Sequence, residues 1–455
     1  MLRPSFLTSF RARVIAAFLL LAIILIRTFP STTQWRWRSR NQSKSKDQPL
    51  ERCPPTTQKV VVMARTGASE AALRVPALMD TSLRCAKHVY LYSDLDQDVG
   101  PYHVTDALDN VAQDVVDNNS EFEFYHKQLE LWKNKGDLSE LQGLKSTPKD
   151  PALAEWTSSH YNTDLAAWQL DKYKFFHVLE KTWAAKPDMD WYLMIDSDTY
   201  VVWPTLLSYL ETLDPLQKLY IGCGLWMDEH WFAHGGAGIV LSRAAMETLV
   251  YNNTAARWDP KMEKYCCGDF VLAVALKEDY GVELQQAFPM FSQERWSTVP
   301  LGNENFWCRP AITFHHLNPA EMKEIAGFED NRLNMSKSEP WTHADIFRDF
   351  TMKSIPDGSY RANWDGTFAS DRYEFDKYQG LSLEPKSFQD CIEACEADEN
   401  CLQYTHHDET CYIGTVIRLG FKKEEDKGGI WQSGWHKTRI DDWASMQPQC
   451  DEVTF

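Results

Sequence analysis

Positive charge is scarce in this 455-residue sequence, in which 47 lysines and arginines face 65 aspartates and glutamates for a formal net charge of −18. The chain therefore lacks the broad basic surface that general nucleic-acid binding requires. A ligand that carries phosphate would instead need a local cation, such as a bound metal ion. The hydrophobic content of 44% excludes a disordered chain and suffices for one large core and a second domain.

A full-length apolar span is also missing from the N-terminal segment. The uninterrupted apolar run at residues 14–26 follows three arginines and ends before Arg27. As a helix it covers about 20 Å, less than the roughly 30 Å hydrocarbon core of a bilayer. Because no clean small-x-small cleavage site follows, we predict a signal-anchor transmembrane helix at residues 14–29, with a cleaved signal peptide as the alternative. A cytosolic tail at residues 1–13 and a polar stem at residues 30–56 complete this segment.

Cysteine, in contrast, is present in a number that indicates an oxidising compartment. Of the eleven cysteines, four lie within 21 residues of the C-terminal region. Four N-glycosylation sequons fit the same compartment, at Asn41, Asn118, Asn252 and Asn334. We therefore predict a single-pass type II protein of the Golgi or ER membrane, with its folded part in the lumen. The odd number leaves at least one thiol free or paired between chains.

The strongest candidate for a functional motif is an apolar strand that ends in two carboxylates. Residues 191–202 read Trp-Tyr-Leu-Met-Ile-Asp-Ser-Asp-Thr-Tyr-Val-Val, which brings Asp196 and Asp198 to the carboxyl end of the strand. An α/β sheet exposes ligand-binding groups at that edge. Alternation points both carboxylates the same way, where they can hold a divalent cation that bridges diphosphate oxygens. An ordinary acidic turn or helix cap is the alternative.

Two further strands are predicted to end in polar residues upstream of this motif. Residues 59–64 form a strand, residues 71–83 a helix and residues 88–92 a second strand, which together make a βαβ unit. We interpret residues 95–160 as loops with one or two helices. A long helix at residues 163–185 then leads into the acidic strand.

Three downstream motifs bring further candidate groups. The cluster Gly235-Gly236-Ala237-Gly238 lets backbone approach a ligand closely, although a tight turn is the alternative, and it lacks the Lys-Ser/Thr of a phosphate-binding loop. Asp269 begins an amphipathic helix, where capping is its simplest role. The strand at residues 311–316 ends in His315 and His316, which makes a third metal ligand from a separate strand plausible.

In order and spacing, these motifs resemble the Fringe-like and core 1 galactosyltransferase branch of glycosyltransferase family 31. The resemblance covers roughly residues 59–335 and rests on Trp-Tyr-Leu-Met-Ile-Asp-Ser-Asp-Thr-Tyr-Val, Gly-Gly-Ala-Gly-Ile-Val-Leu-Ser-Arg, Cys-Gly-Asp-Phe and Thr-Phe-His-His-Leu-Asn-Pro. It implies an α/β, GT-A type Rossmann-like domain, which we place at residues 57–336. It also implies Mn²⁺, a UDP-sugar donor and inversion at the anomeric carbon.

The resemblance also implies roles for individual residues. Asp198 and His315 would be direct metal ligands, with Asp196 supporting the metal and contacting the donor sugar or ribose. Asp269 would be the general base. The residues that the resemblance places near the donor are Arg65, Thr66, Gly67, Arg74, Asp94, Lys174, Asp196, Ser197, Gly235, Gly236, Ala237 and Gly238.

The sequence departs from this family's pattern at two positions. Asp-Ser-Asp stands where many relatives have three aspartates, and Cys-Gly-Asp replaces a more acidic stretch at the presumed base. Glu278 and Asp279 therefore stay open as alternatives to Asp269, and His316 as an alternative to His315.

The C-terminal region carries its own cysteine pattern after a predicted linker at residues 337–365. Cys-x3-Cys-x5-Cys-x9-Cys resembles a small disulfide-rich α+β PAN/apple domain, which we place at residues 366–440, followed by a tail at residues 441–455. The resemblance implies that a Cys395–Cys401 disulfide lies inside a Cys391–Cys411 disulfide. Zinc binding is the rival interpretation, but the spacing fits no common zinc finger.

Together these features predict an inverting, Mn²⁺-dependent transferase that moves a hexose or N-acetylhexosamine, with a Gal-type sugar and a β-1,3 linkage favoured, from a UDP-sugar to a glycan or glycoprotein. A non-catalytic lectin-like or chaperone-type protein that keeps the fold is the alternative. A metal-dependent hydrolase would usually need a two-metal carboxylate cluster, which the sequence does not offer. Contact with the membrane is expected through the anchor, and a homodimer is left open.

Overall fold

The computed structural model describes residues 59–144, 166–301, 306–334, 340–355, 360–367, 387–450 and 453–455. The predicted tail, signal anchor and stem, and the sequon at Asn41, lie outside the described residues. Within the described part, no helix combines the length and apolarity needed to cross a bilayer. All described residues belong to one unit of the chain, Pro54–Phe455.

The strands fall into a large N-terminal group and a smaller C-terminal group. In chain order they are β1 Val60–Arg65, β2 His88–Ser93, β3 Gln97–Val99, β4 Tyr102–Asp106, β5 Trp191–Asp196, β6 Tyr200–Val201, β7 Tyr220–Gly222, β8 Gly224–Met227, β9 His230–Ala233, β10 Ile239–Ser242, β11 Leu284–Gln286, β12 Thr313–Phe314, β13 Tyr360–Ala362, β14 Trp364–Asp365, β15 Gln403–His407, β16 Thr410–Gly414, β17 Phe421–Lys422 and β18 Gln432–Trp435.

The α-helices are interleaved with these strands. They are α1 Ala71–Asp80, α2 Gln113–Asn118, α3 Glu123–Lys133, α4 Ala166–Asp171, α5 Lys174–Ala185, α6 Trp203–Leu210, α7 Arg243–Tyr251, α8 Thr254–Trp258, α9 Gly268–Tyr280, α10 Pro319–Asn334, α11 His343–Ile346, α12 Met352–Ser354, α13 Phe388–Ala397 and α14 Lys437–Met446. Short 3-10 turns, among them Gly235–Ala237, and one π-helical turn, Phe347–Thr351, join some of them.

A mixed eight-stranded sheet organises the N-terminal group, in the order β11-β7-β10-β5-β1-β2-β4-β3. Strand β1 pairs in parallel with β2 on one side and β5 on the other, whereas β10 runs antiparallel to β5. The chain leaves β1 through α1 towards β2 and later returns to the opposite side of β1. The switch point of the topology therefore lies between the carboxyl ends of β1 and β5, where Arg65 and Asp196 are register partners.

Both faces of this sheet are covered, as expected for strands that read as continuous apolar runs. Val60, Val62 and Ala64 of β1 pack into one core cluster, which includes residues of α1, α6 and α10. Val61 and Met63 pack into a second cluster with residues of α5, α7 and α9. This alternation confirms the predicted α/β fold class.

The predicted helix at residues 163–185 is interrupted. Its described part consists of α4 and α5, separated by a turn at Lys172 and Tyr173. The turn directs two buried lysines towards different carboxylates. Lys172 Nζ lies 2.8 Å from Glu121 Oε1, and Lys174 Nζ lies 3.4 Å from Asp94 Oδ1. Ion pairing of these buried lysines accounts for the difference from the regular helical pattern.

The C-terminal region is a small α+β arrangement. A four-stranded antiparallel sheet runs in the order β13-β18-β15-β16, and α13 packs against β15 and β16. Disulfides join Cys391 to Cys411 and Cys395 to Cys401, the nested pairing that the resemblance implies. The assignment of this region to the PAN/apple family stays a prediction.

Part of the stretch predicted as a linker belongs to the core instead. Trp341 is 1% exposed, and its carbonyl accepts a hydrogen bond of 2.8 Å from the Ala311 N–H. Farther along, β13 and β14 pair with β18 and β17 of the C-terminal region. Burial of large apolar side chains such as Trp341 is energetically favourable, so this part of the chain packs against the core. A prediction based on polar linker composition does not detect this.

Candidate active site

The carboxyl end of β1 holds a buried arginine between two carboxylates. Arg65 is 2% exposed, and its guanidinium donates hydrogen bonds to Asp171 Oδ2 at 2.7 Å and Asp196 Oδ1 at 2.5 Å. The face of the guanidinium lies 3.8 Å from the centre of the Phe175 ring. Burial raises the pKa of the Asp196 carboxyl, although Arg65 opposes that shift. One oxygen of Asp196 is therefore committed to Arg65.

Two residues after Asp196, at Asp198, the chain lies beside the predicted histidine strand. The Leu317 N–H donates to the Asp198 carbonyl at 3.0 Å, which brings the two chain segments side by side. His315 Nε2 lies 3.2 Å from Asp198 Oδ1, and the centres of the His315 and His316 rings are 3.9 Å apart. His316 has a φ of +62°, a left-handed conformation that allows its ring to turn towards the same place.

Asp198, His315 and His316 form a candidate metal centre. One potential ligand atom from each lies within 4.8 Å of the other two. Burial opposes ionisation, yet the charge of His315 holds the pKa of Asp198 well below its usual range. The same charge lowers the pKa of His316 to about 3, so this exposed ring is neutral at physiological pH and has a lone pair for a metal.

This donor set fits a divalent first-row transition metal. Two imidazoles and one carboxylate are nitrogen and oxygen ligands of the type that such ions accept, Mn²⁺ included. His315 Nδ1 is buried and has no hydrogen-bond partner among the described residues. Asp196, which the sequence predicts to be a metal ligand, lies outside this cluster, and its carboxylate is hydrogen-bonded to Arg65. His316 is the third member of the cluster instead.

Asp269 lies on the other side of the glycine cluster. It stands in the first turn of α9, where Oδ2 accepts a hydrogen bond of 2.8 Å from the Gly235 N–H and Oδ1 accepts one of 2.8 Å from the Phe270 N–H. Burial raises its pKa to about 6, although both N–H groups and Arg65 oppose the shift. A carboxyl with that pKa is suited to exchange protons near neutral pH.

Gly235 and Gly236 pass between Asp269 and the candidate metal centre. A Cβ on Gly235 would lie 3.1 Å from an Arg65 nitrogen and 3.4 Å from Asp269 Oδ2. A Cβ on Gly236 would lie 2.1 Å from His315 Cε1. Thr199 Oγ1 donates to the Gly236 carbonyl at 2.7 Å and holds the loop in this position. Backbone approach, as predicted for these glycines, is therefore a steric requirement.

The remaining predicted donor-site residues meet at the ends of β1, β2 and β5. Lys174 Nζ, which is buried, donates to the Thr66 carbonyl at 3.1 Å and lies 3.4 Å from carboxylate oxygens of both Asp94 and Asp171. Ser197 Oγ donates to Thr66 Oγ1 at 3.1 Å. The Asp94 carboxylate also accepts from the Ala68 N–H at 2.8 Å, which orders the turn after Gly67.

Arg74, Ala237 and Gly238 complete the predicted set. Arg74 Nη1 donates to the Leu317 carbonyl at 3.2 Å and lies 3.9 Å from Asp198 Oδ2. The Ala237 N–H donates to His234 Nδ1 at 3.2 Å, and Gly238 has a φ of +96°. The structure thus brings all the predicted site residues to one edge of the sheet, around the candidate metal centre and Asp269.

Sequence reasoning missed Asp171 and Phe175. Asp171 pairs with both Arg65 and Lys174, and Phe175 packs against Arg65 and fills the space beside Gly268. The run Asp171-Lys172-Tyr173-Lys174 within an otherwise apolar helical pattern was the available signal. Charged residues at positions that should be buried indicate partners elsewhere in the fold.

An unexpected disulfide adjoins the helix that carries Asp269. Cys266 and Cys267, adjacent in sequence, are bonded to each other immediately before α9. This bond cross-links the residues that lead into Gly268, whose position against Phe175 leaves no room for a Cβ. A covalent link thus begins two residues before the candidate base, Asp269.

Comparisons with known proteins give one family similarity and two distant structural similarities. The Fringe-like family model matches residues 145–332, and no curated protein matches the chain significantly. One similar solved structure is a glycosyltransferase involved in the glycosylation of the major capsid of PBCV-1, with 14% identity, 46% of this chain and 94% of that chain covered and a TM-score of 0.21. Another is the apo-form glycosyltransferase GlyE of Streptococcus pneumoniae TIGR4, with 13% identity, 66% and 72% covered and a TM-score of 0.28.

These two structural similarities are too weak to carry an argument about fold or chemistry. The family match is more informative, because residues 145–332 include Asp198, Asp269 and His315. Over that range the chain is similar to Fringe-like proteins, and this similarity supports a glycosyltransferase.

Proposed function

We propose that this chain is an inverting, Mn²⁺-dependent glycosyltransferase that moves a hexose or N-acetylhexosamine from a UDP-sugar to a glycan hydroxyl. One observation carries the proposal: the adjacent residues Gly235 and Gly236 contact the Asp269 carboxylate and the His315 ring respectively. The candidate base and the candidate metal centre therefore lie on either side of two glycine residues. A protein that only binds a ligand would not need a general base next to a metal centre.

Asp198, His315 and His316 would hold the metal ion. When bound, Mn²⁺ would neutralise charge on the donor diphosphate. Ion pairing with Asp198 raises the pKa of His315, against the effect of burial, so metal binding at this imidazole requires loss of a proton. Metal affinity should therefore rise with pH.

Asp269 would be the general base. Its carboxylate would take the proton of the acceptor hydroxyl as that oxygen attacks the anomeric carbon, while the bond from that carbon to the diphosphate oxygen breaks. One displacement inverts the anomeric configuration, so a second catalytic carboxylate is not needed. Asp279, the alternative base, accepts hydrogen bonds from Arg257 and Trp258 at 2.9 Å each, which favours a structural role.

Arg65, Lys174 and Asp94 would bind or orient the donor. Arg65 pairs with Asp171, and Lys174 pairs with Asp94, which allows these charges to be buried without a ligand. Asp196 would contact the donor sugar or ribose while Arg65 fixes its orientation. A Gal-type sugar, a β-1,3 linkage and a site in the Golgi or ER lumen belong to the proposal, and the C-terminal disulfides are consistent with that compartment.

Donor turnover tests the proposal directly. The purified chain is incubated with a panel of UDP-sugars and Mn²⁺, and UDP release is followed with and without simple glycoside acceptors. We expect acceptor-stimulated release from one donor, abolished in Asp198→Ala. Donor binding without turnover under any acceptor would favour the lectin-like alternative, and absence of donor binding by calorimetry would reject a nucleotide-sugar function.

A further inference from the structure

A cavity of about 400 Å³ lies between the Fringe-like region and the C-terminal region. Its walls are formed by residues 295–297, by Asn318 and α10, by β17 and the two residues before it, and by Lys353, Ser354, Arg361 and Trp364. Its volume lies in the range of small-molecule sites. The predicted donor residues do not line it, so the donor site does not account for it.

The cavity adjoins the candidate metal centre. Asn318 is part of its wall and follows His316 by two residues, and the residue between them donates its N–H to Asp198. A molecule in the cavity would thus lie beside the reaction centre.

Cations outnumber carboxylates in the lining of the cavity. Four cationic side chains face two carboxylates there: Arg295, Lys353, Arg361 and Lys422 against Glu321 and Glu324. This local excess of positive charge contrasts with the net charge of −18 of the whole chain. A surface that concentrates positive charge on an acidic protein attracts an anionic ligand.

Aromatic rings orient the two guanidinium groups. Arg295 Cζ lies 4.8 Å from the centre of the Phe421 ring, and Arg361 Cζ lies 4.2 Å from that of Trp364. A guanidinium that rests with its face on a ring keeps the N–H groups at its edge for polar partners. One of these partners is Glu321 for Arg295 and the Ser354 carbonyl for Arg361, and the remaining N–H groups can meet an oxyanion. The ring faces that hold the arginines cannot stack on a neutral sugar.

The two lysines complete the positive lining from the solvent side. Lys353 and Lys422 are both exposed. Lys422 Nζ lies 2.6 Å from Glu424 Oε1, and both side chains of that pair are more than two thirds exposed. Such a pair contributes little free energy and gives way readily to a ligand.

Resting on the proposed transferase function, we propose that this cavity is an acceptor subsite that binds a glycan carrying an oxyanion, whether a carboxylate, a sulfate or a phosphate. The C-terminal region supplies Arg361 and Lys422 to it and so takes part in acceptor selection. The oxyanion would dock against the arginines, in the cavity that adjoins the candidate metal centre.

Binding of matched sugars tests the subsite without requiring turnover. The probes are methyl β-D-glucoside, methyl β-D-glucuronide, glucose 6-sulfate and glucose 6-phosphate, titrated calorimetrically into the purified chain at low ionic strength. We expect at least one charged probe to bind about tenfold more tightly than the neutral glucoside, with the preference reduced by salt. The order among the charged probes identifies the oxyanion.

The exposed lysines provide a variant that does not threaten folding. Lys353→Gln with Lys422→Gln should weaken binding of the charged probe about fivefold to tenfold and leave the glucoside unchanged. Lys323→Gln with Lys427→Gln, two exposed lysines outside the lining, removes the same charge as the control. Equal binding of charged and neutral probes, or equal losses in both double variants, would overturn the subsite.

A second readout separates this proposal from the transferase function. Acceptor-independent UDP release from the donor should be the same in Lys353→Gln/Lys422→Gln as in the unaltered chain. Asp198-dependent release without any preference for oxyanions would overturn the subsite alone. Oxyanion binding without any donor turnover would overturn the acceptor role together with the proposed function.

Discussion

Asp269 combines a half-buried, hydrogen-bonded carboxylate with a pKa close to physiological pH. Burial raises that pKa to about 6, while two backbone N–H groups fix the direction of both oxygens. The orientation matters as much as the pKa, because a general base must lie within hydrogen-bond reach of the proton that it takes. Asp269 is thus the residue on which the proposed chemistry depends most.

Asp269→Asn should remove the base and preserve the fold. The amide oxygen can still accept one of the two N–H bonds, so we expect a loss of transfer of about 10²- to 10⁴-fold with donor binding retained. Acceptor-stimulated UDP release and donor calorimetry measure the two effects.

Asp279→Asn is the matched control, because Asp279 lies on the same helix and is bonded to Arg257 and Trp258. A greater loss of transfer in Asp279→Asn than in Asp269→Asn would assign the base to Asp279 instead.

The pH dependence of transfer follows from the raised pKa of Asp269. Only the carboxylate can take a proton, so turnover at saturating Mn²⁺ and donor should fall as pH drops through about 6. Initial rates between pH 4.5 and 8 provide the measurement. A rate that stays level down to pH 4.5 would show that the pKa of Asp269 lies near its ordinary value of 3.8 and that burial does not tune this group during turnover.

At the scale of elements, the loop after β9 separates the candidate base from the candidate metal centre. Its 3-10 turn, Gly235–Ala237, follows a strand that packs against α9. The loop is held by Thr199 on one side and by Asp269 on the other. Adding one methyl group to this loop should therefore affect turnover more than it affects the free energy of unfolding.

Gly236→Ala should disrupt the metal centre. The added Cβ would lie 2.1 to 2.7 Å from three atoms of the His315 ring, so the ring must move away from Asp198. We expect Mn²⁺ affinity to fall at least tenfold, measured by electron paramagnetic resonance titration, with a parallel loss of turnover.

Gly327→Ala is the control for this change, because Gly327 is exposed in α10 and a Cβ there meets nothing within 4 Å. This substitution should stabilise the protein by about 0.5–1 kcal/mol and leave Mn²⁺ binding unchanged. Unaltered metal affinity in Gly236→Ala would contradict the assignment of His315 as a ligand.

At the scale of the whole molecule, the Fringe-like and C-terminal regions are joined by covalent and backbone contacts. Cys308 is bonded to Cys450 across 142 residues of sequence. Leu301 and Ile417 exchange backbone hydrogen bonds, and Ile417 is fully buried. The two regions therefore share a core, and stability should depend on both.

The long disulfide should contribute more stability than the short one. Loop-closure entropy predicts a loss of about 3–5 kcal/mol for Cys308→Ser with Cys450→Ser, against about 2 kcal/mol for Cys395→Ser with Cys401→Ser, which closes only six residues. Urea unfolding followed by tryptophan fluorescence measures both. A larger loss from the short disulfide would show that native packing, rather than chain entropy, dominates.

The candidate site was predictable where its residues follow apolar strands. Asp196 and Asp198 could be placed because β5 is a continuous apolar run, and His315 because the next motif has the same form. Asp171 could not be placed, since its importance depends on Arg65, a residue 106 positions away. The sequence predicts His316 only as an alternative to His315, because it does not reveal the left-handed backbone that turns this ring towards the cluster.

The sequence by itself determined the fold class, the edge of the sheet that carries the site, and the chemical types of the groups there, because strand periodicity and residue chemistry are local properties. Tertiary structure decided which groups meet. It committed Asp196 to Arg65, brought His316 to Asp198, paired Cys266 with Cys267, and closed a cationic cavity between two regions far apart in the chain. Those outcomes depend on long-range packing and on the balance between burial and charge compensation, which neighbouring residues in a sequence do not reveal.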